Sequence, residues 1–127
     1  MAHQIFIEEG TYPAEEAFLL TAGQTGMVLE DTVIEVYPDG DNQRCVRGRA
    51  RALNLSLVEL LEDYDDVDML LDLGDQFKYL LKAPTLKAGK VFSPDVKSII
   101  HFIAQSSLEK LEEEQYRRIR DGLKLVD

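Results

Sequence analysis

The stretch Asp66–Lys82, DVDMLLDLGDQFKYLLK, constrains what this chain can fold into more than any other. Val67, Leu70, Leu71, Gly74, Phe77, Leu80 and Leu81 recur at the spacing of one helix face. Asp65 or Asp66 can cap the first turn, and Lys78 and Lys82 suit the last turns. Ala83 precedes Pro84 and is biased away from helical dihedrals. The spacing therefore predicts an amphipathic helix over 66–82. Met69 and Leu73 lie off the main stripe and widen the apolar face beyond what burial on one side needs. Met69, Leu73 and Phe77 are accordingly the candidate apolar contact residues.

The other segments read as elements packed against that helix. A β-rich strand is expected near 3–8, HQIFIE, and a short helix over 14–22 after Thr11–Tyr12–Pro13. Residues 27–37 are strand material with a break at Glu30–Asp31, and 43–52 return as a second arm. Pro38–Asn42 joins the two arms as a five-residue turn. Helices are then expected over 55–63, 94–104 and 107–121, the second opened by Ser93–Pro94–Asp95 and burying Val96, Ile99, Ile100 and Ile103. Glu113 with Arg117 and Glu114 with Arg118 form i,i+4 pairs on the last one. The expectation is one α+β domain over 1–127: a small antiparallel sheet and one short helix packed on a C-terminal helical set.

Charge is the second constraint. The chain carries 24 acidic and 14 basic residues, a formal net charge of −10. A field of that sign repels nucleic acid and anionic membrane unless a basic patch overrides it. The charges come in blocks. Residues 1–43 hold nine acids and no Lys or Arg; 44–51 hold four arginines and no acid; 52–77 hold eight acids and no base. Blocks of this kind favour electrostatic docking, within the fold or between chains. The apolar runs are too short to span a membrane, and MAHQIFIEEG lacks the n- and h-regions of a signal peptide. The one cysteine, Cys45, suits a reducing cytoplasm.

Arg44, Arg47, Arg49 and Arg51 are the candidate electrostatic contacts. As a strand, Arg47, Arg49 and Arg51 share one face; as a helix, Arg44, Arg47 and Arg51 would; either cluster could grip phosphate or carboxylate. Their plainer role is to neutralise Glu30, Asp31, Glu35, Asp39 and Asp41 on the adjoining arm. The acidic run Glu62–Asp68 has oxygen ligands for a divalent cation but lacks the glycine and glutamate spacing of an EF-hand; it fits a helix entrance better. Cys45 with His3 or His101 is too sparse a set for a nucleophilic dyad. No G-x-S-x-G, phosphate-binding loop, dinucleotide fingerprint or H-E-x-x-H motif occurs.

These features point to contact and away from catalysis. The expectation is a cytoplasmic, self-associating protein–protein interaction module, with no catalytic residue, metal or cofactor and no membrane partner. The alternative is a regulatory protein that binds nucleic acid through the arginine block or mimics it with its acidic surface.

Overall fold

Strand Thr25–Pro38 (β3) is the longest element and belongs to two sheets. The computed structural model describes residues 8–38, 44–53, 56, 60, 67–74, 77–88, 97–104 and 108–126. The preceding strands, Gly10–Pro13 (β1) and Glu16–Leu20 (β2), run antiparallel to β3 in one register, from Gly10 opposite Val36 to Leu20 opposite Gly26. The ladder continues through their junction, where the Ala14 amide donates to the Thr32 carbonyl at 2.8 Å. On the other side of β3, Arg44–Leu53 (β4) pairs Val33 with Arg49 and Glu30 with Arg51. Asp31 and Thr32 thus oppose the single residue Ala50, which is a β-bulge. Asp31 takes a positive φ of 48° there.

The bulge decides which side chains of β3 face inward. Met27 and Leu29 are buried before it, Ile34 and Val36 after it, so the inward parity changes from odd to even. Strand side chains alternate strictly, so an unbulged β3 would turn Ile34 and Val36 to solvent. Of the expected arms, 27–37 and 44–52 are strands, and the bulge falls beside the expected break at Glu30–Asp31 although the strand runs on through it; 39–43, with most of the expected turn, lies outside the described residues.

The outer sheet runs β1–β3–β4–β8–β7, with Thr85–Ala88 as β7 and Lys97–Ile103 as β8. The middle sheet takes the first half of β3 with β2, then Asp68–Asp72 (β5), Lys78–Leu81 (β6) and Leu108–Leu111 (β9). A two-residue strand, Lys124–Leu125 (β10), joins β3 in parallel; every other pairing among the described residues is antiparallel. The main core lies between the sheets and includes Leu19, Met69, Leu71, Tyr79 and Leu81 from the middle one and Val46, Ile100 and Phe102 from the outer. Helix Glu113–Asp121 (α1) covers the other face of the middle sheet, setting Tyr116 and Ile119 on Phe18, Leu20, Leu70, Leu80 and Leu111. Among the described residues no helix is long and apolar enough to cross a membrane.

This architecture corrects the α+β expectation: the protein is mainly antiparallel sheet, and among the described residues no C-terminal helical set packs on it. The largest correction is 66–82, which is a β-hairpin. β5 and β6 pair from Met69–Leu81 to Asp72–Lys78 around a turn in which Leu73 donates to the Phe77 carbonyl at 2.8 Å. Gly74 takes a φ of 101° there, open to glycine at little cost, and its amide donates to Asp72 Oδ1 at 2.8 Å. The physical reason for the misreading is burial on both faces. Met69 and Leu71 point into the main core while Leu70 points at the helix, so the alternation that identifies a strand disappears. The expected helix over 14–22 fails for the same reason, since β2 buries Ala17 and Leu19 on one side and Phe18 and Leu20 on the other.

Two further helices are replaced in whole or part. Residues 97–103 of the expected 94–104 helix form β8, and 108–111 of the expected 107–121 helix form β9, leaving α1 to begin at Glu113. The expected strand at 3–8 lies outside the described residues except Glu8, which is not in a strand. Most of 55–63 also lies outside them, with Ser56 and Leu60 buried and helical.

α1 is fixed by polar contacts as well as apolar ones. The Tyr116 hydroxyl donates to Glu16 Oε1 at 2.7 Å, and Arg120 Nη1 reaches the same oxygen at 3.3 Å. Beneath the helix, buried Lys78 lies 2.9 Å from Asp72 Oδ1 and 3.6 Å from Glu113 Oε2. Burial works to lower the Lys78 pKa, but the hydrogen bond and charge of Asp72, with Glu113, outweigh it and hold the ammonium above its ordinary value. Burial, then the Glu16 hydrogen bond, pushes Tyr116 well above the usual phenol range; burial also raises Tyr79. The exposed side of α1 carries Glu113–Arg117 at 3.2 Å and Glu114–Arg118 at 3.9 Å. These pairs, in the expected places, contribute about 0.3–0.5 kcal/mol each at most.

These shifts set the response to alkali. All three raised groups keep their protons in the folded chain where the unfolded chain releases them, so the folded state binds more protons above about pH 10. Their stabilisation is fully present below that pH and is lost as pH rises. Urea titrations should show stability falling above about pH 10, by up to about 1.4 kcal/mol per pH unit for each group. Tyr116→Phe should flatten that slope.

Candidate interaction surface

β4 places its side chains by simple alternation. Val46, Ala50 and Ala52 enter the core, while Arg47, Arg49 and Arg51 stand exposed on the outer face of the outer sheet. Arg44 opens the strand opposite Pro38. Of the two geometries open to the arginine block, the strand is the one adopted.

Two of the three arginines are neutralised by β3. Arg47 Nε donates to Glu35 Oε1 at 2.7 Å, and its guanidinium lies 4.2 Å from the Tyr37 ring centroid. The Glu35 hydrogen bond and charge raise the Arg47 pKa above its already high ordinary value. Arg51 Nη1 lies 3.6 Å from Asp31 Oδ2, a residue the bulge brings alongside. Lys97 of β8 binds both carboxylate oxygens of Glu30 at 2.7 Å. Arg49 differs. Its register partner on β3 is Val33, and among the described residues no carboxylate pairs with it.

The register extends this difference into a row. Arg49 sits directly opposite His101 on β8, and His101 sits directly opposite Lys87 on β7. All three are exposed. Among the described residues no acidic side chain pairs with any of them. Ile99 and Ile103 flank His101 on the same strand face, 51% and 39% exposed. Two depressions adjoin the row and share Arg49 and Val33: one of about 400 Å³ also lined by Glu35, His101 and Ile103, and one of about 350 Å³ also lined by Asp31 and Ile99.

The apolar contact set of 66–82 is not assembled into a surface. Met69 is fully buried between the sheets, Leu73 is half-buried against the core, and Phe77 is exposed at the hairpin turn. In the acidic run, 62–66 lies outside the described residues, and Asp68 accepts from the Ala83 amide at 2.9 Å and pairs with Lys82 at 3.5 Å. Among the described residues no group of three or more His, Cys, Asp and Glu side chains could hold a metal ion. Cys45 and His101 are not brought together: Cys45 lies four residues along β4 from Arg49, the partner of His101, roughly 13 Å away. His3 lies outside the described residues.

The sequence reading sets His101 on the solvent side of a helix, and His101 is exposed, but on a strand; it places Ile99 and Ile103 on that helix's buried face, where the structure exposes both, and leaves Lys87 in a connector. The signal was alternation in KSIIHFI: Lys97, Ile99, His101 and Ile103 on one side, Ser98, Ile100 and Phe102 on the other. No protein-family model, curated protein or solved structure matches the chain.

Gly48, between Arg47 and Arg49, falls on the inward side of β4 with Val46 and Ala50 and has no room for a side chain. A Cβ there would collide with the Val33 carbonyl and the buried Phe102 ring. Gly48→Ala should therefore lower stability by about 1–3 kcal/mol in chemical denaturation.

Proposed function

We propose that this chain is a non-catalytic protein–protein interaction module whose contact surface is the outer face of the outer sheet. The observation that carries the reading is the coincidence of exposed Ile99 and Ile103 with the row Arg49–His101–Lys87, which no acidic side chain among the described residues pairs with. Apolar anchors ringed by charge are what a protein contact uses, the anchors for affinity and the charge for orientation and rate. The partner is an acidic protein surface, because the face is cationic in a chain whose acids otherwise outnumber its bases. Cytoplasmic residence, where the one thiol stays reduced, suits such a role.

Self-association was expected from a spare apolar helix face around Met69 and Leu73. That ground is gone, since Met69 is interior. The nucleic-acid alternative also loses weight, because Glu35 and Asp31 already occupy Arg47 and Arg51. A phosphate backbone would have to displace both carboxylates or tolerate them beside it.

The test is capture of partners from the native cell, followed by reconstitution with the purified partner. Ile99→Ser combined with Ile103→Ser should weaken the reconstituted complex about tenfold or more. Phe77→Ser, at an exposed apolar site on the hairpin turn, should leave it unchanged. Equal binding by the wild type and the double variant would contradict the reading.

A further inference from the structure

The row that crosses the outer sheet, Pro13–Val33–Arg49–His101–Lys87, differs from its neighbours in charge. Arg47 has Glu35, Arg51 has Asp31 and Lys97 has Glu30. Within the Arg49–His101–Lys87 row, bases stand directly opposite bases, an arrangement that destabilises a sheet when both are charged. The chain has acids in surplus, yet the position that would neutralise Arg49 is Val33. Neighbouring strands lie about 4.8 Å apart, so Arg49 and Lys87 bracket the imidazole of His101 across roughly 10 Å.

We propose that Arg49, His101 and Lys87 form a binding site for a single phosphate group carried on an extended segment of a partner protein. The inference rests on the interaction-module reading above and names the chemistry of its partner. A phosphate monoester carries close to two negative charges and three acceptor oxygens. Arg49 offers a forked set of donors, His101 an N–H and Lys87 an ammonium, which together match that acceptor set. A lone carboxylate would use one of the two permanent cations and leave the other unserved.

The surroundings favour a peptide over a nucleic acid. The β3 side of the row is rimmed by Glu35 and Asp31, which repel any phosphate beyond the first. Ile99 and Ile103 lie two residues to either side of His101 along β8. An extended segment lying along β8 repeats its side chains with the same period. A phosphorylated residue over His101 therefore places the residues two before and two after it over Ile99 and Ile103. Aliphatic side chains at those positions complete the fit.

The experiment uses the full chain and a peptide with the core Leu-Ala-phosphoserine-Ala-Leu, titrated at low salt and followed by calorimetry and by amide NMR shifts. Binding is expected, with shifts confined to β4, β7 and β8. The peptide with unphosphorylated serine, and the one with glutamate in its place, should each bind about tenfold more weakly or worse. Arg49→Gln with Lys87→Gln should reduce phosphopeptide binding by at least the same factor while leaving the melting temperature close to wild type; Lys124→Gln, on β10, should not reduce it. No binding of the phosphopeptide, equal binding of the serine peptide, or tighter binding of a single-stranded DNA oligonucleotide would overturn the proposal. If it fails while the Ile99- and Ile103-dependent complex persists, the phosphate site is wrong and the module reading stands. Loss of that complex too would remove both.

Discussion

The extra residue in β3 at Asp31 is the constraint on which the rest of the structure depends. β3 serves the middle sheet with its first half and the outer sheet with its second, and one added residue keeps apolar side chains inward on both sides of the join. The same bulge brings Asp31 to Arg51 and fixes the register in which Arg49 meets Val33. Its costs are local: a positive φ at Asp31, and a buried Thr32 hydroxyl with no hydrogen-bond partner among the described residues. Both are tolerable for a feature that sets two sheets at once.

Burial on two sides gives the middle sheet its character. β2, β5 and β6 present apolar residues to the core on one face and to α1 on the other, so the helix completes the fold from outside. Lys78 shows how tightly that outer seam closes. Its ammonium is almost fully buried, and it stays charged because Asp72 and Glu113 are held beside it. Removing one partner would strand a buried charge, which costs more than an exposed pair ever contributes.

Legibility in the sequence followed the number of buried faces. Where one face meets water, as along Thr32–Tyr37 and Arg44–Ala52, alternation identified strands, hairpin and shared arginine face, and Glu30–Asp31 stood out as the break. Where both faces are buried, DMLLD and KYLL lost that alternation, and their joint spacing matched a helix by coincidence. Gly74 was the overlooked warning, a poor helix residue at the point where the chain turns. KSIIHFI was legible as a strand, but Ser93–Pro94–Asp95 reads as a helix start and carried its neighbours along. The proposed interaction surface was half visible for that reason. Arg47, Arg49 and Arg51 share one exposed face, as alternation along a strand implies, but His101 and Lys87 reach Arg49 only through pairings across β8 and β7 that local spacing cannot reveal.

The functional reading thus rests on register: three basic side chains from three strands, aligned in one row beside two exposed isoleucines. Backbone NMR tests that alignment most directly. Cross-strand proton contacts should connect Arg49 with His101 and His101 with Lys87. Helical contacts between residues three apart over 97–103, with no cross-strand contact to β4, would contradict the account.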